Sequence, residues 1–386
     1  MAHSADRMDA NYGVLIQNEP TSYLVARLAA FAAAPGFPNV RVFFIGANLS
    51  QNWGIDLPEE IAQVLPNRRS AAVWRLAQAI FDRRCRFIHI AGWGGSALHL
   101  PALLLILLSG KPFTMESDTP EMGERRHWLK ALLRRAWLRL LFARALWLLP
   151  AGSPQARLMR NMGADPAKIH PSQLTVDVAA IRQRREAFSS EDRAQIRARY
   201  GVADADPVIL YVGRLEPYKG VMLLLDAFEQ LAAQWPNARL LVAGGGSLEA
   251  EVQARAQTNP QLIALGRVQP HEVMMLMFSA HMLAMPSRIE PWGLVVNEAM
   301  AAGLPVIASE CVGAVEDLIS DGVTGLIRPH HDAAAWANAM AQMARNPQLR
   351  AQLAQAADQR IAHWTLQDQA RIFQDHWSPL LRGDAP

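Results

Sequence analysis

Cysteine is scarce: the 386 residues hold two, Cys85 and Cys311, which excludes a disulfide framework. They stand far apart with no metal-type spacing, so reduced thiols in the cytoplasm are expected. The opening residues, MAHSADRMDA, lack the apolar core of a signal peptide. No uninterrupted apolar run reaches transmembrane length, and the longest candidate, LHLPALLLILLSG, reads as a buried helix. His89, His99, His281, His330 and His331 show no ligand spacing. DAD at 204–206 precedes its strand and adjoins Pro207, so it reads as a turn rather than a cation-binding pair. No metal site is expected. Acidic residues are missing altogether from Arg125 to Ala164.

What is present fits two α/β domains. Hydrophobic residues make up 51% of the chain, enough for packed cores at this length. The formal charge of +3 hides a split: residues 1–172 carry 20 Lys/Arg against 12 Asp/Glu, and 173–386 carry 18 against 23. Two such halves suit different partners. In the first half YGVLIQ, VRVFFIG, FIHIAG, KPFTME and ALWLLP read as strands between helix-length segments. In the second, VILYVG, ARLLVAGG, LIALG, HMLAMPS and PVIAS do the same. Alternation of this kind builds a parallel, doubly wound sheet, and its repetition gives two tandem Rossmann-like domains, 1–172 and 173–363. Their ligands belong outside the carboxyl ends of the strands.

Those ends carry the chemistry in the second half. After VILYVG, Gly213 permits a sharp turn, and Arg214 and Lys219 follow just before an apolar helix. Cations at a helix start would grip a diphosphate, although a solvated surface loop has the same composition. In AGGGSLE, glycines at 244–246 approximate a dinucleotide fingerprint, but Glu249 stands where the third glycine belongs. The turn, with Gly245 at its centre, lets backbone approach a phosphate or is simply tight. Then comes SRIEPWGLVVNEAMAAGLPVIAS, 287–309. Gly293 opens a helix that Gly303 and Pro305 end, and Glu290 stands in the loop above its positive end. Glu298, the helix's only charge, lies about 7.5 Å further along. A carboxylate in so apolar a run is costly unless something bonds to it. A nucleotide sugar across the helix start would meet N–H groups from Gly293 and Leu294 onward, Glu290 through its hexose and Glu298 through its ribose. An Arg partner inside the fold would answer either glutamate equally well.

GRLEPYKG, AGGGSLE and EPWGLVVNEAMAAGLPVIAS, followed by VGAVEDLISDGVTGLI, resemble in order and spacing the donor half of the family-four retaining glycosyltransferases of the GT-B fold. The likeness is strong over roughly 205–330. It implies two Rossmann-like domains facing a cleft, and a catalytic and donor-binding set of Arg214, Lys219, Glu290 and Glu298. The two cations hold the diphosphate, Glu290 the transferred sugar and Glu298 the ribose, while Gly266 closes a strand where the base sits. HWTLQDQARIFQDHW then looks like the terminal helix, 364–386, that crosses back to the first domain. Two departures stand out. The first loop, QNEPTSYL, lacks the glycine pair of many relatives, and KPFTMESDT offers Asp118 where many carry a histidine. Asp118 either orients a hydroxyl or caps the segment TPEMGERR.

The acid-free stretch holds nine Lys/Arg and three Trp between residues 125 and 164. Over 125–147 that composition suits an interfacial helix on anionic lipid, and equally an ordinary helix with a basic outer face. Nothing supplies a nucleic-acid reading motif. The expectation is a retaining, metal-independent hexosyltransferase without a cofactor, its UDP- or GDP-sugar being a co-substrate. Its acceptor is a glycan, lipid-linked in polysaccharide biosynthesis, at the inner face of the cytoplasmic membrane. A nucleotide-sugar epimerase of the same fold, turning over without acceptor, and a non-catalytic nucleotide-sugar binder are the alternatives.

Overall fold

The computed structural model describes residues 10–46, 62–94, 96–119, 128–203 and 206–384. The chain forms two compact units, one of residues up to Leu174 together with Leu366–Pro386, the other of Thr175–Thr365. The first runs β1 (Tyr12–Gln17), α1 (Ser22–Ala33), β2 (Val40–Phe44), β3 (Ala62–Val64), α2 (Arg69–Phe81), β4 (Cys85–Ala91), α3 (His99–Ser109), β5 (Phe113–Ser117), α4 (Trp128–Arg144), β6 (Trp147–Pro150) and α5 (Ser153–Asn161). The second begins with α6 (Val178–Ala187) and α7 (Ser190–Arg199), where the sequence reading places only a crossover. It continues through β7 (Val208–Val212), α8 (Val221–Gln234), β8 (Arg239–Ala243), α9 (Glu249–Thr258), β9 (Leu262–Gly266) and α10 (Pro270–Ser279). Then follow β10 (Met282–Met285), α11 (Leu294–Ala301), β11 (Val306–Ser309), α12 (Val315–Leu318), β12 (Leu326–Arg328), α13 (Ala333–Arg345) and α14 (Pro347–Ile361). The last helix, α15 (Leu366–Arg382), belongs to the first unit.

Each unit has one six-stranded sheet, ordered β3-β2-β1-β4-β5-β6 and β12-β11-β10-β7-β8-β9, with parallel pairing throughout. The sequence pattern yields five strands per half, and the additions are β3 and β12. Both are three-residue edge strands, AQV and LIR, too short for a period-two pattern to register. Central strands read as continuous apolar runs because helices cover both faces, and β1 is buried at every position.

A second correction concerns α3. The run expected to be a buried helix buries Ala102, Leu103 and Ile106 but leaves Leu100, Leu104 and Leu108 exposed. These lie at i, i+4 and i+8, one line along the outer face. Leu108, at 76% exposure, is more open than any other large apolar residue described.

Helix α15 closes the first unit's second core. Phe373 and Trp377 are fully buried, against Phe31 at 5.3 Å and Phe87 at 5.4 Å respectively. Trp377 also donates to Thr114 Oγ1 at 3.1 Å. Burying such a side chain contributes about 1.5–3 kcal/mol, so the terminal helix is structural for this unit.

Nearby, Arg27 binds Glu116 with both terminal nitrogens, each contact 2.9 Å, and Gln17 adds a third bond at 3.1 Å. Burial would raise Glu116, but Arg27 and then His89 outweigh it and hold the carboxyl well below its usual range. His89 is itself kept neutral by burial, so the charged pair is Arg27 with Glu116. Arg27→Met strands a buried carboxylate and should cost about 3–5 kcal/mol at pH 7 by urea denaturation. Because Glu116 titrates below its unfolded value of 4.5, the pair's contribution is complete above that pH and is lost as pH falls further. The gap between variant and wild type should therefore narrow below pH 4.5.

Candidate active site

The carboxyl ends of β7, β8, β9 and β10 converge in the second unit. The loop after β7 lies directly on the loop after β8: Leu215 N–H donates to Gly245 O at 3.0 Å, and Leu248 N–H to Leu215 O at 2.9 Å. A Cβ at Gly244 would stand 1.8 Å from Gly213 O, so only glycine fits. Gly244 N–H then reaches Gly266 O at 2.7 Å. Gly213, Gly245 and Gly266 are thus neighbours in one patch of bare backbone. Arg267 and Glu249 flank it, both within 3.1 Å of where a Gly245 Cβ would sit. Neither is singled out by the sequence reading, where Glu249 appears only as a missing glycine.

The second junction joins the loops after β7 and β10. Pro217–Lys219 form a single 3₁₀ turn, and Gly220 follows at φ 72° with its Cβ direction 2.1 Å from Pro286 O. Arg288 and Ile289 N–H both donate to Tyr218 O, at 2.8 and 3.2 Å. This clamp brings Lys219 onto Glu290, whose Oε2 accepts from Lys219 Nζ and from Ser287 Oγ at 3.4 Å. Both partners of the ion pair are largely buried, with side-chain exposures of 12% and 10%. Arg214 is exposed and lies against the Tyr218 ring, its guanidinium 5.5 Å from the centroid.

Helix α11 starts immediately beyond. Gly293 precedes it at φ 94°; Val296 N–H donates back to Gly293 O at 2.8 Å, and the N–H groups of Leu294 and Val295 before it have no intrahelical acceptor. Its approach is locked by Trp292, 2% exposed, which donates to Asn297 Oδ1 at 3.0 Å and stacks on Trp364 at 5.9 Å. Sequence reasoning passes over that lock, because Trp and Asn five apart signal nothing alone.

Glu298 sits on the same helix without an Arg partner. The residue keeps some surface exposure, yet its carboxyl is enclosed enough to be pushed up to about 7, with burial the sole cause. No hydrogen bond reaches it among the described residues. The internal ion pair that would have explained Glu290 exists, with Lys219. For Glu298 no such pair is found.

Asp118 belongs to the other unit. It is exposed at the end of β5 and lines a pocket of about 170 Å³ with Gln17, Tyr23, Arg27 and Glu116. Most of the segment it was expected to cap lies outside the described residues, as do Arg125 and Arg126. Over the rest of the basic stretch, α4 buries Leu138, Leu141 and Phe142 and exposes Lys130, Arg135, Arg139 and Arg144 beside Leu132, Leu133 and Leu140. Of DAD, Asp206 is described: it is buried, and its Oδ2 accepts from Ala203 N–H at 3.0 Å, a turn contact.

Residues 192–360 match the family model described as glycosyl transferases group 1. That segment belongs to this family. Among curated relatives, D-inositol 3-phosphate glycosyltransferase of Nocardioides sp. is 30% identical over 238 residues, 57% of this chain and 48% of its own. The protein of the same description from Frankia alni is 35% identical over 199 residues, 48% of this chain and 49% of its own. The chain spans about half the length of these relatives. Among solved structures, Anabaena HepE in complex with UDP superposes with a TM-score of 0.75 at 19% identity, over 95% of this chain and 99% of that one. Sucrose-phosphate synthase from Thermosynechococcus elongatus gives 0.71 at 20% identity, over 97% and 100%. At such identities the likeness establishes the fold, GT-B with two Rossmann-like domains, in agreement with the two parallel sheets.

Glu298 offers a direct test of this electrostatic reading. Its folded pKa lies above the unfolded 4.5, so the unfolded chain ionises first and stability falls as pH rises from 4.5 to about 7. Glu298→Gln removes that penalty. Thermal melts should show the variant more stable by up to about 3 kcal/mol at pH 8 and equal to wild type at pH 4.5. Equal melts at both values would place the carboxylate in water.

Proposed function

We propose that the chain transfers a hexosyl unit from a nucleotide sugar to a glycan acceptor, with retention of configuration. The observation that carries this reading is Glu298, an apolar-run carboxylate with no partner among the described residues, on the helix whose start adjoins Lys219 and Glu290. A ribose diol would satisfy it with two donated hydrogen bonds. The diphosphate would lie over the N–H groups of Gly293 and Leu294, with Arg214 and Lys219 neutralising it. Uridine is the base favoured over guanine, since the structurally similar HepE has been crystallised with UDP and with UDP-glucose.

Glu290 is assigned to positioning the sugar rather than to nucleophilic attack. Its carboxylate is held by Lys219 and Ser287, a pairing that lowers its nucleophilicity and fixes its direction. Retention then relies on the departing diphosphate assisting the incoming hydroxyl. Asp118 and the pocket beside it are assigned to the acceptor, held by the first unit. No metal or cofactor enters this scheme, because cations of the chain neutralise the leaving group.

Calorimetry with uridine, UDP and UDP-glucose on three variants tests the placement. Glu298→Ala should weaken all three by roughly 1.5–3 kcal/mol, the value of a hydrogen bond to a charged group. In the wild type, binding should release a proton between pH 5 and 7, since donated bonds favour ionised Glu298, and affinity should rise over that range. Lys219→Ala should weaken UDP more than uridine and lower kcat, as charge grows on the leaving phosphate. Glu290→Ala should spare UDP while cutting turnover. Loss of UDP affinity in Glu290→Ala as deep as in Lys219→Ala would put the sugar elsewhere.

A lipid-linked acceptor at the inner membrane face is the finer assignment. The basic side chains of α4 stand among exposed Leu132, Leu133 and Leu140, a composition suited to anionic lipid. Wild-type protein should sediment with anionic vesicles at low salt and be released by salt. Reversing Lys130 and Arg135 to Glu should weaken sedimentation while leaving UDP binding intact. Indifference of the wild type to such vesicles would favour a soluble acceptor.

A further inference from the structure

The sequence spacing of Cys311 and His330 gives no hint of a metal, yet the fold brings them together with Glu310. Cys311 Sγ stands 3.4 Å from His330 Nδ1, which also meets Glu310 Oε1 at 2.7 Å. Glu310 Oε2 accepts from His330 N–H at 3.1 Å, so the loops after β11 and β12 are already tied to each other here. One donor atom from each of the three residues lies within 4.8 Å of the others. Four-coordinate zinc, with bonds of about 2.0–2.3 Å, needs ligand separations of roughly 3.3–3.7 Å, within reach of small shifts of the two loops and their side chains. Thiolate, imidazole and carboxylate are the ligand types of zinc and its neighbours rather than of magnesium or calcium. Glu310 is exposed and the other two partly so, leaving a fourth position to water.

We propose that Glu310, Cys311 and His330 form a binding site for a zinc-class transition-metal ion, and that its occupancy weakens donor binding. On binding, the Cys311 thiol loses its proton to solvent, its sulfur bonds the metal, and coordinated waters leave.

The coupling follows from what the next residues hold. Val312 pairs with Glu290 as an isolated parallel bridge, Gly313 N–H donates to Glu290 O at 3.1 Å, and Ala314 N–H to Trp292 O at 2.8 Å. Drawing Glu310 and Cys311 around an ion shifts the loop against which Glu290 is set. The Lys219–Glu290 arrangement belongs to the unshifted loop. The effect on the donor rests on the proposed transfer function; the metal site does not.

Cobalt(II) is the probe, read by its thiolate charge-transfer band and its tetrahedral visible bands. One equivalent should bind, zinc should displace it, and Cys311→Ser should abolish the charge-transfer band. His330→Ala should lose at least the roughly 10–100-fold in affinity that even an outer partner of a metal ligand costs. Because Cys85 is 2% exposed, alkylation of the folded protein reports Cys311, and zinc should protect it. A band that survives in Cys311→Ser, or wild-type affinity in His330→Ala, overturns the site. UDP-glucose should bind several-fold more weakly with zinc present, and by reciprocity zinc more weakly with UDP-glucose. That difference should vanish in His330→Ala, which removes zinc bound to the nucleotide itself as an explanation. Transfer should persist after chelation. Zinc bound with unchanged UDP-glucose affinity refutes the coupling alone. Failure of UDP-glucose to bind in any state counts against the donor assignment, and the cobalt titration then still decides the metal site.

Discussion

Backbone lies on backbone at the carboxyl ends of the second sheet, and the candidate site depends on that constraint. Two contacts set it: Gly244 against Gly213 O, and Gly220 against Pro286 O, where a Cβ would fall 1.8 and 2.1 Å from a carbonyl oxygen. A single methyl at either position would part the loops by more than an ångström. The first contact joins the turn of Gly213 to the glycines around Gly245. The second carries Lys219 to Glu290. Without it, a lysine and a glutamate 71 residues apart would be two solvated charges of little energetic worth.

The charges in this site are arranged with opposite logic. Lys219 and Glu290 compensate each other, so neither bears the full cost of partial burial. Glu298 bears it alone, and the fold tolerates a carboxyl pushed up to about 7. An unpaired, partly buried carboxylate costs stability unless a partner arrives. Proteins accumulate such groups where function demands them, and strong perturbation by burial marks a site for that reason. The neighbouring lock of Trp292 on Asn297 and Trp364 gives the helix start a fixed direction. An anion meeting its first N–H groups would therefore find them preorganised.

Much of this was legible in the letters because the second unit writes its site in short range. Arg214 to Gly220 is one loop, Glu290 to Glu298 another, and both follow apolar runs whose ends the composition marks. What remained hidden depends on distance along the chain. The pairing of Lys219 with Glu290 is a tertiary fact, and so is the meeting of Cys311 with His330 across two loops. Edge strands β3 and β12 escaped because three residues show no period. Helix α3 departs from its sequence pattern for a different reason. A run apolar all round looks buried, but its outer line of Leu100, Leu104 and Leu108 is exposed. Periodicity cannot separate a covered face from an uncovered one.

The first unit was harder to read because its polar groups are spent on one another. Arg27, Gln17, His89 and Glu116 come from α1, β1, β4 and β5, four elements spread over a hundred residues, and no motif links them. Their network satisfies Glu116 so fully that the carboxyl is held below its usual range, whereas Glu298 is held above it. The two glutamates therefore answer the same question in opposite ways. A buried carboxylate that the fold itself pairs reports on stability. One that is partly buried and unpaired among the described residues, beside a helix start and an ion pair, reports on what the protein binds.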